Sequence, residues 1–212
     1  MLSSVVALAR RAGWEAMLAA AEARTVRGID VRLCRPFTPE RERVWAVTES
    51  MLALLDAHAP RVLRRAATHA RALAVMETAA GLGGWLRAPR LIVLSVDDVR
   101  DPVSLAALFT HHVSTACLER RGMRYAAADR PRFAAACWRA TSAALARIPG
   151  GETIAEAYRA AAASVANLDP QVWSDAADSA RTRAALANYA AAMGLPDGAG
   201  EGLWRAYRAG LA

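Results

Sequence analysis

Lysine is missing from this chain: all 27 basic residues are arginines, set against 20 acidic ones for a formal net charge of +7. Such an excess suits an anionic partner, nucleic acid first among them. A nucleic-acid face gathers its cations along one stripe, whereas these arginines fall singly or in pairs, as at Arg10-Arg11, Arg64-Arg65 and Arg120-Arg121. Abundant alanine and arginine without lysine is also what a GC-rich genome encodes, so the sequence predicts no nucleic-acid partner. Cysteine is scarce as well. Cys34, Cys117 and Cys137 have neither disulfide nor metal-site spacing. They are expected to be small buried hydrophobes in a reducing compartment. No stretch approaches the roughly 18 uninterrupted apolar residues of a membrane span. The apolar start ahead of Arg10-Arg11 is no signal peptide either, since that would carry its charges first. These absences predict a soluble, cytoplasmic protein with no membrane partner.

What is present is alanine, the strongest helix former, in a chain of 212 residues that is 55% hydrophobic. That length holds one well-buried core. No repeat or composition shift marks a boundary, so a single domain over 1–212 is predicted. Its class is α+β, predominantly α-helical, with a small β-sheet. A helical region fills 1–70: one helix from Ser3 or Ser4 to Ala23, a turn-rich connector from Arg27 to Pro36, a helix capped by Thr38 and Pro39 that runs to Ala57, and another opened by Pro60 that reaches His69. Arg71 to Thr78 could continue the helix or form a strand, and its compact apolar pattern before the Gly81 to Gly84 break favours a strand; Arg90 to Ser95 reads as a strand, the two making either a hairpin turning at Gly83-Gly84 or part of a wider sheet. Asp101-Pro102 opens a helix that ends before Gly122. Further helices are expected over Pro131 to Arg147 and Thr153 to Asn167. The C-terminal helices fill 168–212, with one from Asp169-Pro170 to Met193, a Gly-rich link over Leu195 to Gly202 and a short tail. The six tryptophans fall about one per element, as core anchors do.

The chemistry concentrates in Pro89 to Arg121. An apolar strand, Leu91-Ile92-Val93-Leu94, leads through an acidic loop into a helix carrying His111 and His112. This block resembles the core of the zincin metallopeptidases, in which a helix beneath a sheet carries His-Glu-x-x-His. The resemblance is by pattern, over Arg71 to Tyr158 at most, and places a zincin-like core in 71–167. It implies a zinc ligand at His111, a third ligand on a later helix (Glu152 or, better, Glu156), and a sheet edge that takes extended substrate near Trp85 and Arg87. The segment departs from the motif at two positions. His112 stands where the water-activating glutamate belongs, and Thr115 where the second histidine belongs.

Three functional readings follow. A converted scaffold would use His112 as general acid/base, His111 as its partner, Thr115 as an orienting hydroxyl, and Glu119 and Glu156 as supporting carboxylates. It would modify a peptide or small metabolite in a biosynthetic pathway, with no cofactor. A second reading binds a divalent metal weakly through His111 or His112 with Glu119, Glu156 or both. A third is a non-catalytic helical binding module or pseudoenzyme that partners another protein. Beside them stands the plain alternative that one histidine is a satisfied core residue and its neighbour faces water, since adjacent helical residues point about 100° apart. Asp97, Asp98 and Asp101 suit a loop and helix cap better than a cation site. Gly81 to Gly84 lacks the lysine and hydroxyl of a phosphate loop. Ala7 to Trp14 resembles the start of a helix-turn-helix but is followed by no matching second helix.

Overall fold

The computed structural model describes residues 12–34, 40–76, 83–123, 125–126, 128–192, 196, 198–202 and 204–205. The expected start of the first helix before residue 12, the Thr38-Pro39 cap, Glu77 to Leu82 and most of the tail lie outside the described residues.

Helix α1 covers residues 12–20. Strands β1 (Glu22–Val26) and β2 (Ile29–Leu33) follow, then α2 (Arg41–His58), α3 (Pro60–His69), β3 (Ala72–Met76), β4 (Gly84–Leu86), β5 (Leu91–Ser95), α4 (Pro102–Arg120), α5 (Arg130–Leu145), α6 (Glu152–Ser164) and α7 (Asp175–Ala192). The molecule is α+β and mostly helical, with one five-stranded sheet in the order β1-β2-β3-β5-β4. The three central strands are parallel, and the two edges, β1 and β4, run antiparallel to their neighbours.

Two expectations change here. Residues expected to end the first helix and form a connector instead make the β1–β2 hairpin. Its two-residue turn, Arg27-Gly28, has both φ angles positive, at 51° and 78°. That is the primed turn whose twist matches paired strands, and glycine takes the second position without strain. The second change concerns β3 and β5, which pair in parallel from Ala72↔Leu91 to Met76↔Ser95. Of the two arrangements expected, the wider sheet is found. The hairpin there is β4–β5, reversing at residues 87–90 instead of at Gly83-Gly84. Gly83 serves close packing: a Cβ there would lie 2.9 Å from the Val93 carbonyl oxygen.

The central strands are apolar without alternation because both sheet faces are covered. Val31, Leu33, Leu73, Val75, Ile92 and Leu94 pack with α2, α3 and α4 in the main core. Ala72, Ala74, Leu91 and Val93 pack on Leu18 of α1, with Trp14 and Met17 beside it. Arg24 stacks over Trp45, 4.2 Å from its ring centre, and pairs with Glu49 at 2.8 Å, which pins the edge hairpin to α2. The expected C-terminal helix breaks in two: a 3₁₀ turn at Pro170–Trp173, then α7. Arg130 holds that corner, donating to the Trp173 carbonyl at 2.8 Å and to Asp175 at 2.7 Å. Cys34, Cys117 and Cys137 are buried free thiols. Among the described residues, no helix is long and apolar enough to cross a membrane.

Candidate functional site

Helix α4 carries both histidines, and its start is built as the sequence predicts. Asp101 caps it, accepting from Val103 N at 3.0 Å and Ser104 N at 2.9 Å, with Pro102 next in line. These bonds hold the Asp101 carboxyl below its usual range. Ser95 and Asp98 form a capping box just upstream. The Asp98 and Asp101 carboxylates therefore organise backbone, although burial raises the pKa of Asp98.

The two histidines meet different neighbours while their rings stay in contact. His111 turns toward α6, its ring centre 6.4 Å from that of Tyr158. Thr115, one turn on, faces α5: its hydroxyl lies 3.6 Å from the Cys137 sulfur and donates to the backbone carbonyl of His111 at 3.1 Å. That hydroxyl thus engages the His111 backbone, not the imidazole. His112 shares a helical face with Glu119, seven residues on. Glu119 accepts a hydrogen bond from the Trp85 indole N–H at 2.8 Å, fastening edge strand β4 to the helix. The side of α4 that carries His112 is therefore the side nearer β4.

The imidazoles touch edge to face, with ring centres 5.5 Å apart. Both are partly exposed by area yet closely surrounded by protein. His111 Nδ1 is buried without a hydrogen-bond partner. Burial lowers the pKa of His111. For His112, burial and then the neighbouring His111 lower it to about 3. Both rings are therefore neutral at physiological pH: acceptors and donors, but not stores of a proton. Burial also raises the Tyr158 phenol.

The other expected residues are placed as follows. Arg87 is exposed in the β4–β5 turn. Glu156, expected in a buried setting, is exposed and pairs with Arg159. The reason is periodicity: Ile154, Ala155 and Tyr158 form the inward face of α6, which turns Glu156 outward. Tyr158 is thus the residue that α6 brings to His111. The spacing of Ile154, Ala155 and Tyr158 was the available signal for it. Cys137 behind Thr115 had no comparable signal.

Zinc, which the resemblance implies, does not fit these donors. The two imidazoles touch each other, but Glu119 is bonded to Trp85 and Glu156 is exposed and paired with Arg159, so neither carboxylate joins them. No group of three His, Cys, Asp or Glu side chains among the described residues is arranged to hold a metal. Cavities of about 100 and 190 Å³ lie elsewhere, around Asp30, Arg71 and Ala72 at the start of β2 and β3. In comparisons with protein-family models, curated proteins and solved structures, the chain has no significant match.

Proposed function

We propose that this chain is a degenerate zincin-like protein that binds an extended peptide segment along β4 and performs no zinc hydrolysis. The observation that carries this reading is the bond from Trp85 to Glu119. It fastens a three-residue antiparallel edge strand over the histidine helix. Among the described residues, no strand pairs with the outer side of β4. An edge of this kind offers backbone N–H and C=O groups to a peptide, which adds as a further strand. A peptide seated there would pass on the His112 side of α4. The neutral imidazoles would supply hydrogen bonds and ring surface in place of a hydrolytic centre. Arg87, exposed at the end of β4, would meet an acidic group of the peptide. The reduced, buried cysteines suit a cytoplasmic setting.

The test is a peptide-array screen followed by hydrogen exchange on the full chain. Binding peptides should slow amide exchange across Gly84 to Leu86, and Trp85→Ala should weaken them. Protection confined to another surface would overturn the reading.

The second reading, acid–base chemistry on a small metabolite, draws on the unpartnered His111 Nδ1 beside the Tyr158 ring. It predicts turnover that His112→Ala abolishes. Unchanged turnover in that variant would remove His112 from the chemistry.

A further inference from the structure

We propose that the starts of β2 and β3 form a binding site for a free α-amino acid with an aliphatic side chain, its charged head on the α1 side of the sheet and its tail on the α3 side. Strand β5 separates this site from the β4 edge, and the site does not rest on the peptide reading. The β2–β3 register begins at Val31↔Leu73, although β2 runs back to Ile29 against β1 and β3 runs back to Ala72 against β5. Ile29-Asp30 and Arg71-Ala72 therefore flank a notch below the first rung. A cavity opens there on each face of the sheet. One, of about 100 Å³, is walled by Ala66, Ala67 and Ala70 of α3 with Ile92 and Phe109. The other, of about 190 Å³, is lined by Glu15, Asp30, Arg32 and Arg71 beside α1. Asp30, Arg71 and Ala72 line both, so the two cavities meet at the notch.

The chemistry of the two cavities differs. In the first, every lining side chain other than Asp30 and Arg71 is apolar, and α3 presents alanines where larger residues would fill the space. Ile92 and Phe109, both fully buried, close it from below. An apolar cavity of about 150 Å³ takes a benzene ring, so this one suits an aliphatic chain of about three or four carbons. The second cavity holds two acids and two arginines, already oriented. Arg71 donates to both carboxylate oxygens of Glu15. Arg32 pairs with Asp30 at 2.9 Å and donates to the Leu18 carbonyl at 3.3 Å. These four side chains are partly exposed, so each ion pair contributes little where it stands. Their formal charges cancel, and a plain anion or a plain cation gains at one sign what it loses at the other. A zwitterion loses at neither: its carboxylate meets the arginine forks and its ammonium meets Glu15 and Asp30. A molecule with both charges on one carbon and an aliphatic chain beside them is an α-amino acid of the leucine or valine kind.

The test is calorimetric titration of the full chain with leucine and with valine. One-to-one binding is expected, with leucine about tenfold or more tighter than 4-methylpentanoate or 3-methylbutylamine, which are leucine without its ammonium and without its carboxylate. Arg71→Gln should weaken leucine about tenfold or more. Ala67→Leu, which adds a chain at an exposed position over the first cavity, should do the same. The control Arg132→Gln removes a charge from an exposed position of α5 and should bind like the parent. Since any variant can disturb folding, the parent alone provides a second readout: leucine should shift the amide NMR resonances of Asp30 and of Ala66 to Leu73. No binding at millimolar leucine or valine, equal binding of either singly charged analogue, an equal loss in Arg132→Gln, or shifts confined to another surface would overturn the site.

Discussion

Acidification to about pH 5 should destabilise this protein through His112, and a single substitution should remove most of that effect. An unfolded histidine titrates near 6.5, whereas folded His112 is held to about 3. Between those values the unfolded chain binds a proton that the folded chain refuses, so stability rises with pH and falls on acidification. Each pH unit in that window is worth about 1.4 kcal/mol. At about pH 5 the loss relative to neutrality is therefore about 2 kcal/mol for this one side chain, an upper value where water enters on protonation. The His112→Gln variant keeps a neutral polar group of similar size but cannot titrate. Urea unfolding of both proteins at about pH 7.5 and 5 should give a parent that loses about 2 kcal/mol more than the variant, or a differential shift of about 4–8 °C in thermal midpoint. His111, whose pKa burial also lowers, acts with the same sign and remains in both proteins, so it cancels to first order. Parallel pH profiles for parent and variant would refute the enclosure of His112, and with it the neutral character assigned to the histidine pair.

The remaining predictions concern the bonds that position the elements. Trp85→Phe keeps the ring and removes the N–H donated to Glu119; it should cost about 1–2 kcal/mol and speed amide exchange in β4, whereas unchanged exchange would detach Glu119 from strand positioning. Arg90 sits at φ 57° while its guanidinium caps α3. Arg90→Ala and Arg90→Gly both lose the cap, but glycine relieves the left-handed backbone, so the glycine variant should be more stable by about 1 kcal/mol, as chemical denaturation would measure. Arg130→Met should cost about 1–3 kcal/mol and loosen α7 first, because the lost bonds run to Trp173 and Asp175; limited proteolysis should cut near residues 168–175 in the variant. Asp101→Ala removes the α4 cap for about 1 kcal/mol, read from the urea midpoint.

Legibility in the sequence followed local physics. Pro60, Asp101-Pro102 and Pro131 each fix φ or supply a cap at a helix start, so α3, α4 and α5 begin within a residue of expectation. The continuous apolar run Leu91 to Leu94 marked a strand buried on both faces. The β1–β2 hairpin was hidden because Arg27 occupies a left-handed turn position where asparagine, aspartate or glycine is the usual marker. Alternation in Ile29-Asp30-Val31-Arg32-Leu33 carries the strand signal, but the charges and Gly28 beside it read equally well as a connector. The packing of α3 on α4 could not be read at all, being a tertiary fact with no local signature.

The histidine pair shows how far helical geometry alone reaches. Neighbouring helical residues leave the backbone about 100° apart, yet the His111 and His112 rings meet edge to face with centres 5.5 Å apart. Beyond that contact, His111 turns toward Tyr158 of α6 and His112 lies on the face that Glu119 shares. A hydrolytic helix needs its two imidazoles one turn apart and a carboxylate on the intervening residue. Here the residue one turn beyond His111 is Thr115, whose hydroxyl bonds backbone. Restoring the pattern would thus require changing His112 to glutamate and Thr115 to histidine. The first change buries a carboxylate where burial already holds an imidazole to about 3. The second displaces the hydroxyl packed against Cys137. Each substitution opposes the packing around it, and this reading predicts that the double variant is destabilised and gains no zinc-dependent cleavage. A stable double variant that binds zinc stoichiometrically and cleaves peptide would mean that the scaffold kept its hydrolytic geometry and lost only the side chains.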